Sequence, residues 1–211
     1  MNGSPITYSP LGLGSDDIVK VGQTIKAAGY VSKVDTSSMG VLHMFIDGGQ
    51  KLASEYGLIA DNFELDCRQG MPDTMFDRGA AMELTDLWNR TLVHLEEYDI
   101  ERIIHMNQEN IGSFLSASDL GFSIGHWQGD DLIVETPGVG WPYYDEVGIP
   151  QPTEVSHHEQ FSVFEDGNLL NYVFTITGPL VFSDPLVLAT TGEWDPGRVV
   201  EEYGCTGTWE E

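Results

Sequence analysis

Apolar and polar residues alternate along most of the chain, and helical periodicity is weak almost everywhere. Met82–Trp88, Thr91–Tyr98 and Ile100–Met106 read as three consecutive strands, with only Asp99 between the last two. Phe122–Trp127 and Asp131–Thr136 flank Gln128-Gly129-Asp130, a hairpin signal. Val155–Phe164 and Leu169–Thr177 flank Glu165-Asp166-Gly167-Asn168 and predict a second hairpin. Val187–Trp194 and Val199–Tyr203 end the series, and the Gly- and Pro-rich residues 137–153 read as a long loop. This spacing of short strands and turns predicts a mostly β fold over residues 60–211, either an antiparallel, lipocalin-like β-barrel or a sandwich. Ile18–Gly29 and Leu42–Ile46 predict three strands of a smaller β segment within residues 1–55, and residues 50–62 read as a short helix or a linker.

Alternation also sends several ionisable residues toward the predicted interior. Glu97 follows Val93 and Leu95, and His157 and Glu159 lie between Val155 and Phe161. His126 shares a face with Phe122 and Ile124, and Arg102 with Ile100, Ile104 and Met106. The short turn then sets Arg102 close to Glu97. Burying charge costs several kcal/mol unless it is paired. Two readings follow: a structural salt-bridge network, such as Glu97 with Arg102 and Glu159 with a histidine, or a polar site within an apolar cavity. In the second, Glu159 or Glu97 would act as base with His157 or His126 as partner.

Composition narrows the partners. The chain carries 34 acidic and 9 basic residues, a net charge of -25, and its few basic residues are scattered. Nucleic acid and anionic surfaces would be repelled. No apolar run approaches the roughly 18 to 20 residues that span a bilayer. The first residues, MNGSPITYSPLGLG, lack the basic start and apolar stretch of a signal peptide. Cys67 and Cys205 are either two lone thiols or a disulfide closing a very long loop, a bond that an extracytoplasmic location permits.

Other features carry weaker chemistry. His126, His157 and Glu159 have zinc-like ligand types, but no recognised ligand spacing supports a metal, and none is expected. Gly121-Phe122-Ser123-Ile124-Gly125 matches the G-x-S-x-G pattern of a nucleophilic serine. A hairpin follows Ser123 where that pattern needs a helix, so a packed strand serine is the expectation. Trp127, Trp141, Tyr143 and Tyr144 gather around the hairpin and the Gly/Pro loop, with Met71, Met75 and Met82 before them. Of these, Trp127, Trp141, Tyr144 and Met71 are the expected ligand contacts at a barrel mouth, with Arg102 inside it.

The run GFSIGHWQGDDLIVET (residues 121–136) is the most distinctive stretch. With Cys67, Gly70-Met71-Pro72, Met82-Glu83, Glu97, Arg102, Ile104-His105-Met106, Gly148-Ile149-Pro150, Glu159-Gln160-Phe161, Tyr203 and Cys205, it resembles an uncharacterised family of secreted bacterial β-rich proteins. That family commonly has arginine at the positions of Gln160 and His126. Residues 3–52 resemble the second half of a small OB-like domain. The resemblance implies secretion and β architecture rather than a particular chemistry.

The expectation is therefore an extracytoplasmic barrel that binds a small, largely apolar molecule, or converts it by cofactor-independent acid–base chemistry of isomerase, lyase, cyclase or hydratase type. A structural or assembly protein with pairing strand edges, which leaves room for an oligomer, and a hydrolase using Ser123 are the alternatives.

Overall fold

The computed structural model describes residues 6–10, 67, 70–71, 81–107, 118–142, 151, 155–177 and 185–205. The described residues form nine strands: β1 (Ile6–Pro10), β2 (Met82–Asp86), β3 (Arg90–Leu95), β4 (Ile100–Met106), β5 (Ser123–Gln128), β6 (Asp131–Pro137), β7 (Ser156–Phe164), β8 (Leu169–Thr177) and β9 (Leu186–Trp194). Strands β2 to β9 make one curled sheet in chain order, and β1 pairs with both β2 and β9 to close it. The mostly β expectation holds, with the barrel as its form. Tyr8 pairs with Trp194 at the far end of β9 and with Met82 at the start of β2. A row of pairs leaving one end of β9 thus meets the opposite end of β2. Tilted strands need this stagger to close a barrel.

Three features differ from the expected strands. First, β4 and β5 are parallel, with Ile104 opposite Ser123, whereas every other pair is antiparallel. The long connection after Met106 permits this, because parallel neighbours need a crossover rather than a tight turn. Second, β3 ends at Leu95, which pairs with Ile100. Reversing the chain takes more than the single residue Asp99, so Glu97–Asp99 form a 3-10 turn, with Tyr98 and Asp99 at φ 56° and 50°. Third, Val199–Tyr203 is not a strand. Two of its backbone donors go to carboxylates of that turn: Glu201 N–H to Glu96 Oε1 (3.3 Å) and Tyr203 N–H to Asp99 Oδ1 (3.1 Å). Arg198 binds both oxygens of Glu96 at 2.6 and 2.7 Å, and the Tyr98 and Tyr203 rings sit 4.8 Å apart. Cys205 ends this tail in a disulfide with Cys67, the bonded alternative of the two readings.

β1 comes from the chain segment read as OB-like; the strands expected at Ile18–Gly29 and Leu42–Ile46, and the helix or linker at 50–62, lie outside the described residues.

Antiparallel register carries inner-face residues across the sheet in rows. Leu132, Phe161, Tyr172 and Thr190 form one row, and Val134, Glu159, Phe174 and Leu188 the next. Thr136, His157 and Ile176 continue the series toward the end of the barrel that holds Trp141 and Met71, both buried. Gly70 and Gly125 allow close approach. A Cβ on Gly70 would lie 2.3 Å from the Trp141 ring, and one on Gly125 would lie 2.6 Å from Ile104 Cγ2.

Candidate functional site

One polar cluster occupies the inner face of β4 to β8. Arg102 comes from β4, Ser123 from β5, Thr136 from β6, Glu159 from β7 and Tyr172 from β8. Arg102 is 2 % exposed and Glu159 0 %. Arg102 Nη1 donates to Glu159 Oε1 at 2.7 Å, and Nη2 donates to Oε2, a bidentate pair. Arg102 Nε and Nη2 donate to Ser123 Oγ at 2.9 and 2.7 Å, and Nη2 also donates to Thr136 Oγ1 at 2.9 Å. Tyr172 OH donates to Glu159 Oε1 at 2.6 Å. Burial pulls the Arg102 guanidinium down, but the adjacent Glu159 carboxylate outweighs it and holds the group above its ordinary value. Burial, then Glu159, holds the Tyr172 phenol well above its usual range, so it stays a donor.

Next to this cluster lies a second buried unit. His157 is 0 % exposed, its ring 4.9 Å from that of Phe174. Its Nε2 is 3.1 Å from Gln151 Oε1. Gln151 Nε2 donates to Met71 O at 2.8 Å and Trp141 O at 3.1 Å. Those two carbonyls fix the amide, so Oε1 must accept from His157 Nε2–H. His157 Nδ1 is then a bare lone pair, buried with no hydrogen-bond partner. Burial first, and the Arg102 charge second, lower the His157 pKa from 6.5 to about 3. The ring is neutral over the physiological range.

Acid sensitivity follows from this. Between pH 6.5 and about 3 the unfolded chain binds a proton at His157 that the folded chain does not. Stability attributable to this group therefore falls as pH drops through that window, by up to roughly 5 kcal/mol. Urea unfolding across a pH series is expected to show a shallower acid slope in His157→Phe than in the parent chain, the difference reaching about one proton. Parallel slopes would contradict a buried neutral imidazole.

The sequence-predicted residues divide sharply. Arg102, Glu159, His157, Trp141 and Met71 are brought together in the sealed interior. Glu97 is not on a strand face; it sits half-buried in the 3-10 turn, and Arg102 takes Glu159 as its carboxylate partner instead. His126 is exposed, because Ser123 and Gly125 are the inward positions of β5. The inner face there is built from small residues to make room for Arg102 and Ile104. His126 and His157 therefore do not share a site. Among the described residues, no group of three or more His, Cys, Asp or Glu is placed to hold a metal ion. Trp127 lies at the rim, 60 % exposed, and Tyr144 lies outside the described residues. Ser123 is buried, with Arg102 and Thr136 as the partners of its Oγ. Thr136, Tyr172 and Gln151 were not singled out from sequence. Alternation places Thr136 and Tyr172 inward, but a lone hydroxyl on an apolar strand gives no further signal.

The opposite wall behaves differently. On β9 the inner-face residues Leu188, Thr190 and Gly192 are half-buried and Trp194 is 44 % exposed, whereas Val187 and Thr191 on its outer face are buried. Met82 and Leu84, which pair with inner-face residues Leu95 and Val93 of β3, are also half-buried. Val163 and Trp127, the last inner-face positions of β7 and β5, are 47 % and 60 % exposed. They lie at one rim of the barrel, the end away from Trp141 and Met71. Comparison of the chain with protein-family models, curated proteins and solved structures finds no match.

Proposed function

We propose that this barrel binds a small, largely apolar molecule in its interior, against the β9–β2 wall and beneath the rim of Trp127, Val163 and Trp194. One observation carries the reading: on β9 the inner-face residues Leu188, Thr190 and Gly192 are only half-buried and Trp194 is exposed, while Val187 and Thr191 on the outer face are buried. A barrel filled by its own side chains would show the reverse. The Arg102–Glu159 cluster lies sealed behind that space, charge-neutral and tied across β4 to β8. Binding is better supported than acid–base conversion, since both Glu159 oxygens are engaged by Arg102 and Tyr172 and His157 is a weak base. Hydrolysis at Ser123 has less support still, because its Oγ is committed to Arg102. The Cys67–Cys205 disulfide is compatible with an extracytoplasmic location, and secretion fits this reading.

Titration with N-phenyl-1-naphthylamine, a neutral apolar fluorophore, tests the proposal. One saturable site per chain is expected, weakened about tenfold or more (1.4 kcal/mol) in Leu188→Trp, which fills the space, with an unchanged far-UV spectrum. Non-saturable binding, or equal binding by a folded Leu188→Trp chain, would overturn it.

A second reading rests on a separate observation. β1 covers only Gly192–Trp194 of β9, so Leu186–Thr191 has β8 as its single partner among the described strands. Such an edge can accept a strand from another chain. A sedimentation coefficient that rises with concentration would favour this assembly role, and a monomer throughout would dismiss it.

A further inference from the structure

We propose that one rim of the barrel docks on a zwitterionic lipid surface, with Trp88, Trp127, Phe164 and Trp194 settling among the head groups. The inference goes beyond the binding function proposed above and does not depend on it.

Strand direction gathers these residues. β4 and β5 are parallel and their neighbours antiparallel, so β2, β5, β7 and β9 run the same way. Trp88 follows β2, Trp127 is next to last in β5, Val163 and Phe164 end β7, and Trp194 ends β9. Measured from the row Trp127–Leu132–Phe161–Tyr172–Thr190, Val163 lies two residues further along its strand and Trp194 four. Tilted strands give this steady advance to residues at one level, so these side chains ring one end of the barrel near a single plane. All of them are exposed, Trp88 at 82 %. The other exposed large hydrophobics among the described residues, Ile103, Val199 and Tyr203, lie on a strand face or in the tail.

Trp88 carries a second signal. Its φ is 76°, a left-handed conformation that a bulky side chain adopts at a cost and glycine adopts freely. The turn between β2 and β3 thus holds an indole in water where the fold alone would favour glycine.

Charge and shape select the occupant. Asp86, Asp130, Glu165, Asp166 and Asp195 are exposed beside these side chains. Arg90 is the one basic residue within 86–90, 127–131, 163–168 and 194–197. Carboxylates and indole faces attract the ammonium group that a zwitterionic lipid presents outermost. Anionic lipid is repelled by the same carboxylates and by the net charge of -25. Indole rings favour the head-group level of a bilayer. A ring of separate aromatic tips meets a plane at several points, whereas a second copy of the chain would set carboxylates against carboxylates. Contact is by turn tips, since no helix among the described residues is long and apolar enough to cross a membrane.

Flotation of the full, disulfide-bonded chain with dioleoylphosphatidylcholine vesicles, and with dioleoylphosphatidylglycerol vesicles for contrast, tests this. The chain is expected to float with the zwitterionic vesicles, its tryptophan emission shifted to the blue, and to bind the anionic ones about tenfold or more weakly at low salt. Trp88→Gly is expected to weaken binding about tenfold while its urea midpoint stays the same or rises, because glycine relieves the positive φ. Trp127→Ala is expected to weaken it too, with an unchanged far-UV spectrum. A fall in the Trp88→Gly midpoint would assign that indole to the fold, and Trp127→Ala then decides. No flotation with the zwitterionic vesicles, equal or tighter binding to the anionic ones, or full binding by both variants would overturn the proposal. Adsorption to insoluble cellulose in place of vesicles would overturn it as well. Titration with N-phenyl-1-naphthylamine reads the interior separately, so either proposal can fail alone.

Discussion

Replacing Arg102 with methionine is expected to destabilise the fold by about 3–5 kcal/mol, the usual cost of stripping one partner from a buried ion pair. The physical reason is what remains. Glu159 would keep its carboxylate in a fully buried place with only Tyr172 as a strong donor, and Ser123 and Thr136 would lose the guanidinium that both contact. The pair itself need not be worth that much, because desolvation offsets most of its attraction. The double replacement Arg102→Met with Glu159→Leu is therefore expected to be markedly more stable than Arg102→Met alone. Urea unfolding of the two single variants and the double measures this coupling. A single-variant loss below about 1 kcal/mol, or strict additivity, would show that the pair is not the sealed unit described.

Loss of the Cys67–Cys205 disulfide is the second large effect. The bond joins residues 138 apart. In the chain-entropy model a loop of that length restricts the unfolded state by about 5 kcal/mol, and native disulfides typically contribute 2–5 kcal/mol. The folded state adds a local reason. The tail that ends at Cys205 carries Arg198, Glu201 and Tyr203 onto the turn between β3 and β4 through exposed bonds, which are individually weak. The double replacement Cys67→Ser with Cys205→Ser is expected to lower unfolding free energy by about 4–5 kcal/mol and to make the tail after Trp194 sensitive to protease. A change under about 1 kcal/mol would mean that the unfolded chain is already restricted by other structure.

Much of this fold was legible in the residues, and the failures have specific causes. The alternation of Val155, His157, Glu159 and Phe161 placed a carboxylate and an imidazole inward, and β7 has that face buried. The same logic failed in β5. Phe122, Ile124 and His126 form the more apolar set, yet Ser123 and Gly125 face inward. Apolarity is a poor guide where the interior already holds a large arginine and needs small neighbours. The partner of Arg102 differs from the expected one for another reason. Glu97 is near Arg102 in sequence, but the chain turns there through a 3-10 segment, and Glu159 reaches the same inner layer from β7, opposite Val134 and Phe174. Such a layer depends on barrel register, which is a non-local property. Gln151 comes from a stretch read only as loop, and its role becomes visible when two carbonyls and an imidazole converge on it.

The acidity of the chain contributes little to the site. The informative charges are the guanidinium and carboxylate that neutralise each other inside the barrel, so the sealed interior adds no net charge behind the half-exposed β9 face. That combination is suited to an uncharged guest.

Native mass spectrometry of the intact, disulfide-bonded chain, after incubation with an extract of neutral apolar metabolites and removal of the excess, tests the binding proposal most directly. Retention of one small molecule per chain, absent from a folded Leu188→Trp variant, is the predicted result. A spectrum with no adduct, or the same adducts on both chains, would contradict it.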